Sequence, residues 1–212
     1  VHSITTTFDL MHDSEKVITL STTLLGDHNI ENIVGISALL LTKKLLTPEE
    51  LAKGVASFEG VKRRLELLSH SLVPVYEGFG SSYEKARSAM SAVAKHYPNR
   101  RLIVIFEPHT FSWRNRDALK WYDTVFQEAA KVYIYEPASQ GAATHAQVTQ
   151  DEIVERVRKA GIDTTPIHDE ANALALLRND LEANDVVLLL TSGDLGGLIV
   201  STPKLVEELF PF

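Results

Sequence analysis

Leu102-Ile103-Val104-Ile105-Phe106 is a run of five apolar residues with no polar residue between them. A strand with one wet face alternates apolar and polar positions, whereas a strand covered by helices on both faces reads as a continuous apolar run. Val186-Val187-Leu188-Leu189-Leu190 repeats the pattern near the C-terminus. Working outward, further strand candidates fall at 65–68, 73–77, 132–136 and 165–168. Helix-period segments lie among them at 83–96, 117–130, 150–160, 169–181 and 203–209. This alternation predicts an α/β fold, a doubly wound and mostly parallel sheet. Ligands in such sheets sit beyond the carboxyl ends of the strands, so the loops after Glu77, Phe106, Glu136 and Thr191 are the candidate sites.

The first quarter of the chain reads differently. Residues 3–11 and 16–24 are rich in Thr, Ile, Val and Phe and flank the polar turn His12-Asp13-Ser14-Glu15, which predicts a hairpin. Apolar residues at helical spacing predict a helix over 29–41. Thr47-Pro48-Glu49-Glu50 joins a capping residue, a first-turn proline and two acids, and opens a second helix reaching Ser57. Phe58-Glu59-Gly60-Val61 breaks the pattern, which divides the chain into 1–57 and 58–212. A chain that opens inside a hairpin is expected to be part of something larger.

Composition removes several function classes. A net charge of −7 disfavours a nucleic-acid partner, and Lys62-Arg63-Arg64 is too short a basic spot to reverse that. With no cysteine there are no disulfides or thiolate metal sites, and the 8 histidines lack metal-ligand spacing, so no metal site is expected in the chain itself. No apolar run is long enough to span a bilayer and the N-terminus has no signal pattern, so no membrane partner and a cytoplasmic location are expected.

Five segments could carry chemistry. In Gly26-Asp27-His28-Asn29-Ile30-Glu31-Asn32, two Asn amides three residues apart share a helical face and suit a base edge. Equally, Asp27 or Asn29 could cap the helix. Lys62-Arg63-Arg64 offers planar forks for phosphate or carboxylate, or is solvated surface. In Glu77-Gly78-Phe79-Gly80-Ser81-Ser82 the glycines allow close backbone approach to a ligand ahead of a helix N-terminus. The competing reading is a tight turn with Ser82 as the helix cap. The segment from Glu107 to Arg116, with His109, Thr110, Trp113 and Arg114, is rich for a plain connector. Thr191-Ser192-Gly193-Asp194-Leu195-Gly196-Gly197 ends the most apolar strand. No G-x-x-x-x-G-K-[ST] phosphate cradle, G-x-G-x-x-G fingerprint, G-x-S-x-G elbow or H-E-x-x-H helix occurs.

The order of these segments resembles the Mur ligases of peptidoglycan synthesis. The resemblance rests on Gly26-x-His28-Asn29-x-x-Asn32, then Phe58-x-Gly60-Val61-Lys62-Arg63-Arg64-x-Glu66, then Phe106-Glu107-Pro108-His109, then Ser192-Gly193-Asp194. It implies the tail of a central ATP-binding domain (1–57) followed by a complete Rossmann-like C-terminal, amino-acid-binding domain (58–212). It also implies an ATP- and magnesium-dependent ligase, with both cofactors bound mainly outside this chain. ATP would phosphorylate the carboxylate of UDP-N-acetylmuramate, and the amine of an amino acid would attack the acyl phosphate. The nearest branch adds L-alanine; the runner-up attaches a tripeptide, and a non-catalytic nucleotide or amino-acid binding module is the third reading. By the same resemblance Asn29 and Asn32 would hold adenine, His28 would belong to the same cofactor site and Arg64 would reach the nucleotide. Ser81, Ser82, His109, Arg114, Arg116, Ser192 and Asp194 would line the substrate side, with no catalytic residue assigned. The chain departs from the family pattern where Asp-Asp-x-x-His-His-Pro becomes Glu77-Gly78-Phe79-Gly80-Ser81-Ser82-Tyr83. It departs again where Thr110 and Trp113 replace arginines, leaving Arg114, then Arg116, to take the amino-acid carboxylate. Without a phosphate cradle, the chain alone is expected to be inactive.

Overall fold

The computed structural model describes residues 5–136 and 147–212, in two compact units, Val1–Val61 and Lys62–Phe212. In the smaller unit β1 (Thr6–His12) and β2 (Glu15–Thr22) form an antiparallel hairpin. Its turn falls on Asp13 and Ser14, both at positive φ (48° and 67°), a backbone twist that matches paired strands. Residues 3 and 4 of the expected first strand lie outside the described residues. α1 (Asp27–Thr42) and α2 (Pro48–Ser57) follow, and Leu10, Leu20, Ile33, Leu51 and Val55 form their shared core with the hairpin. Thr47 and Glu50 close the expected capping box on α2. At Gly60, φ is +97° and an added Cβ would lie 2.8 Å from Leu24, so the 58–61 segment packs with the smaller unit.

The larger unit runs β3 (Arg64–Leu67), β4 (Val75–Phe79), α3 (Tyr83–His96), β5 (Arg101–Phe106), the helical turn α4 (Phe111–Arg114), a 3-10 segment (Arg116–Asp123), β6 (Lys131–Tyr135), α5 (Gln150–Lys159), β7 (Asp163–Ile167), α6 (Glu170–Asp180), β8 (Asp185–Thr191) and α7 (Leu198–Leu209). The six strands order as β3-β4-β8-β5-β6-β7, with β3 antiparallel and the other pairs parallel. The expected doubly wound, mostly parallel sheet is what forms. All seven residues of β8 are buried, as its unbroken apolar run requires.

Alternate residues serve opposite faces. Val75, Ile103, Ile105, Val187 and Leu189 pack with Ala173 and Leu177 of α6 and Leu198, Leu205 and Val206 of α7. On the other face Phe106 sits edge-on to Trp113, Tyr122 and Phe126. The chain therefore leaves β4 and β5 toward one face and β8 toward the other, which opens a crevice beside the carboxyl end of β8.

Two expected helices are corrected. Residues 117–130 do not form one long α-helix, because their aromatic residues are drawn around Phe106. Asn115 caps the tighter 3-10 winding through Asp117 N–H (3.1 Å), and the Tyr122 hydroxyl donates to the Trp113 carbonyl (2.9 Å). The last helix starts at Leu198 rather than at Pro203. It runs through the proline because burial of Leu198, Leu205 and Val206 outweighs one lost backbone hydrogen bond.

The opposite end of the sheet carries a pH-sensitive contact. Lys131 Nζ and the Tyr133 hydroxyl donate to Asp180 Oδ2 at 2.7 and 2.5 Å. The Lys131 ammonium, then the Tyr133 hydroxyl, hold this carboxyl below the usual Asp range. A depressed folded value means that the contribution to stability is complete above the unfolded pKa of about 3.9. It is lost as pH falls through the folded value. Asp180→Asn should therefore lower stability at neutral pH and flatten the acid-unfolding profile below about pH 4. Parallel profiles for the two proteins would show that the contact carries no such weight.

Candidate functional site

Three loops meet at the crevice. The chain at the end of β4 and after it approaches through Gly78 and Gly80, where an added Cβ would lie 3.0 and 3.2 Å from the Leu190 side chain. It is tied to the next loop by Thr110 Oγ1 and Ser112 Oγ, which donate to the Ser81 carbonyl at 2.9 and 3.0 Å. Trp113 Nε1 donates to the Gly80 carbonyl at 2.7 Å. The loop after β8 is drawn in by Arg63, whose Nη2 donates to the Gly193 carbonyl at 2.5 Å.

Two buried carboxylates flank the end of β8. Glu77, on β4, accepts from Arg63 Nε at 2.6 Å. Glu107, immediately after β5, accepts on Oε2 from the Thr191 hydroxyl and from Leu195 N–H (3.2 Å). Its Oε1 lies 3.2 Å from His109 Nδ1. Glu107 is 3% exposed. Gly193 closes over this pair, since an added Cβ would stand 2.5 Å from His109 Nδ1 and 2.8 Å from Glu107 Oε2. Gly196 turns at φ +60° where a Cβ would overlap the Tyr135 hydroxyl. Burial, with Glu107 and Asp194 nearby, pushes that hydroxyl's pKa up.

Among the residues singled out in the sequence, Ser81, Ser82, His109, Ser192 and Asp194 come to these loops. Ser82 caps α3 by accepting from Lys85 N–H, so the capping reading of that serine holds. Ser81 Oγ accepts from Lys85 Nζ at 3.1 Å. Ser192 Oγ is buried with no hydrogen-bond partner among the described residues. Asp194 is exposed and accepts from Gly196 N–H at 3.2 Å.

The arginines differ in burial and partners. Arg114, the first candidate for a carboxylate, is 4% exposed in α4, and its carbonyl accepts from Val148 N–H. Arg116 is more accessible but donates to Glu152 on α5 at 2.6 Å. Arg64 is exposed on β3, opposite Gly78. It is Arg63, at φ +64°, that turns inward; a left-handed arginine leaves no mark in the sequence. Glu107 did leave one, as an acid directly after an unbroken apolar strand.

His28, Asn29 and Asn32 lie in the smaller unit. The N-cap of α1 is Gly26 with no side-chain cap bond, which corrects the expectation of an Asp27 or Asn29 cap. Asn29 Nδ2 instead donates to the Leu25 carbonyl at 2.8 Å, while His28 and Asn32 are exposed. Residues 137–146, the loop after Glu136, lie outside the described residues. Among the described residues no cluster of three His, Asp or Glu could hold a metal, and no helix is long and apolar enough to cross a membrane.

Comparison with known proteins places this geometry. The UDP-N-acetylmuramate–L-alanine ligase of Streptomyces coelicolor is 31% identical over 196 residues, 91% of this chain and 41% of that protein. Its counterpart from Clostridium kluyveri is 26% identical over 189 residues, 88% of this chain and 40% of that one. The chain thus spans about 40% of the length of these curated relatives. The crystal structure of UDP-N-acetylmuramate-alanine ligase from Thermotoga maritima shares the fold, with a TM-score of 0.69 at 19% identity over 93% of this chain and 41% of that one. The family model for the Mur ligase glutamate ligase domain matches residues 63–193, the strands and loops that build the crevice, and the chain therefore belongs to the Mur ligase family.

Proposed function

We propose that this chain is the amino-acid-binding part of an ATP-dependent ligase of peptidoglycan synthesis, joining L-alanine to UDP-N-acetylmuramate in the cytoplasm. The observation that carries the reading is the convergence of the three loops on Glu107 and His109 at the carboxyl end of β8, within the segment matched to the family. The alanine preference is supported by the relatives at 26% and 31% identity.

The residues divide the work. Asn32, exposed on α1, presents an amide with donor and acceptor to adenine, and Asn29 retains its carbonyl oxygen for the same purpose. His28 belongs to the same segment, and Arg64, exposed on β3, is the residue assigned to reach the nucleotide. ATP and magnesium supply the activation of the carboxylate. Their principal ligands lie outside this sequence, which has no phosphate cradle. Ser81, Ser82, Ser192 and Asp194 line the amino-acid side with His109. Arg116 takes the amino-acid carboxylate in exchange for Glu152, its one ion pair among the described residues. The burial of Arg114 suits support of that loop. Residues 1–57 act as the tail of the ATP-binding domain. Positioning and charge neutralisation provide most of the acceleration.

The test is amide formation. The 212-residue chain alone should neither hydrolyse ATP nor join alanine to UDP-N-acetylmuramate. In a protein presenting it with an ATP-phosphate domain, alanine should be preferred over other amino acids and over a tripeptide. Preference for the tripeptide would move the chain to the peptide-adding branch. No amide with any amine would leave it a binding module.

A further inference from the structure

Glu107 is a buried carboxylate with unusual company. A buried charge needs a partner, and the ion-pair partner that the structure gives Glu107 is His109. Oε2 is satisfied by two neutral donors, the Thr191 hydroxyl and Leu195 N–H. Among the described residues Oε1 has only His109 Nδ1, at 3.2 Å. A carboxylate oxygen can only accept, so with Glu107 ionised the donor in this contact is Nδ1–H, which in a neutral ring is the Nδ1–H tautomer. The other ring nitrogen, Nε2, then holds a free lone pair. The His109 side chain is a third exposed, so the ring is open to a ligand from solvent. Gly193 seals the buried side, because no side chain could stand between it and the pair.

We propose that Glu107 and His109 form a carboxylate–imidazole proton acceptor, with His109 Nε2 taking a proton from the incoming ammonium group and Glu107 fixing the ring's tautomer. The inference rests on the ligase reading and adds the base which that reading lacks. Nε2 removes one proton from the ammonium. The lone pair so freed attacks the carbonyl carbon of the acyl phosphate, the C–N bond forms, and the C–O bond to phosphorus breaks. Phosphate leaves with that bonding pair and takes the second nitrogen proton, so the amide is neutral and the imidazolium returns its proton to water. His109 would be the catalytic residue and Glu107 the positioning residue.

The geometry gives Glu107→Gln a specific signature. Two donors converge where Oε2 stands, so the glutamine oxygen must take that place and its NH2 must face His109 Nδ1. The amide would then donate to Nδ1 and invert the imidazole to the Nε2–H tautomer, with shape and volume kept. In the 212-residue chain, nitrogen-15 NMR of a neutral imidazole should show His109 as Nδ1–H in the wild type and as Nε2–H in Glu107→Gln. Alanine, but not propionate, should shift the wild-type Nε2 resonance. In the ligating protein Glu107→Gln should lower kcat by on the order of 10²-fold, as loss of a general base does, with KM for ATP unchanged. A wild-type Nε2–H tautomer overturns the proposal, and so does an Nε2 resonance indifferent to alanine; neither needs the variant to fold. A wild-type protein that forms no amide sinks the ligase reading and leaves the tautomer result standing.

Discussion

Replacing Trp113 with alanine should destabilise the larger unit by about 3–5 kcal/mol, the usual cost of emptying a fully buried aromatic site. Trp113 has no exposed surface. Its ring meets Phe106 edge-on at 4.9 Å and lies 5.5 Å from Tyr122. Its indole N–H holds the buried Gly80 carbonyl, and leaving that acceptor unsatisfied adds about 1–3 kcal/mol where water cannot enter. At about 2–4 °C per kcal/mol for a domain of this size, the melting transition of the larger unit should fall by on the order of 10 °C. Trp113→Phe keeps most of the ring and loses the hydrogen bond, so it should cost about 1–2 kcal/mol. Trp113→Arg, which restores the residue usual in the family pattern, should be worse than alanine, since it drives a charge into a packed aromatic site. A shift for Trp113→Ala within about 0.5 kcal/mol, as for a surface substitution, would show that the aromatic cluster is not the core of this face.

Arg63→Ala should cost on the order of 2–3 kcal/mol, with an effect that reaches the crevice. Breaking a fully buried ion pair costs about 3–5 kcal/mol because the surviving charge is stranded. Here the Glu77 side chain is 5% exposed but that of Arg63 is 38% exposed, so solvent screens one partner and reduces the figure. The same guanidinium holds the Gly193 carbonyl and lies over the Phe79 ring at 5.6 Å. Its loss should loosen the loop that closes over Glu107 and His109, which hydrogen exchange at Gly193 and Leu195 would register as faster amide exchange. Combining Arg63→Ala with Glu77→Gln should recover part of the stability, because the double variant strands no charge, with a coupling of about 0.5–3 kcal/mol. Strictly additive losses would mean that the two side chains do not act as a pair. Unchanged exchange at Gly193 would mean that the loop is held by other contacts.

The parts of this molecule that were legible in the sequence are those written within a few residues. The runs at Leu102 to Phe106 and Val186 to Leu190 announced strands covered on both faces, because a strand between two helical layers has no wet side on which to place polar residues. Thr47 with Glu50 is a capping box whose donors and acceptors are three positions apart. The hairpin turn at Asp13 and Ser14 is equally local. These signals, with the alternation of periods, determined the sheet, its mostly parallel sense and the end at which loops gather. What only the tertiary structure decided are contacts between residues distant in the chain. The Thr191 hydroxyl meets Glu107 across 84 residues, and Arg63 meets the Gly193 carbonyl across 130. The same folding buried Trp113 and Arg114, pulled the segment after Asn115 out of α-helical winding, and paired Arg116 with Glu152. The physical reason is common to all of them. Periodicity and capping report interactions a residue makes with its own neighbours, whereas the partner of a buried charge or an indole is chosen by which strands lie side by side, and that order is a property of the assembled sheet.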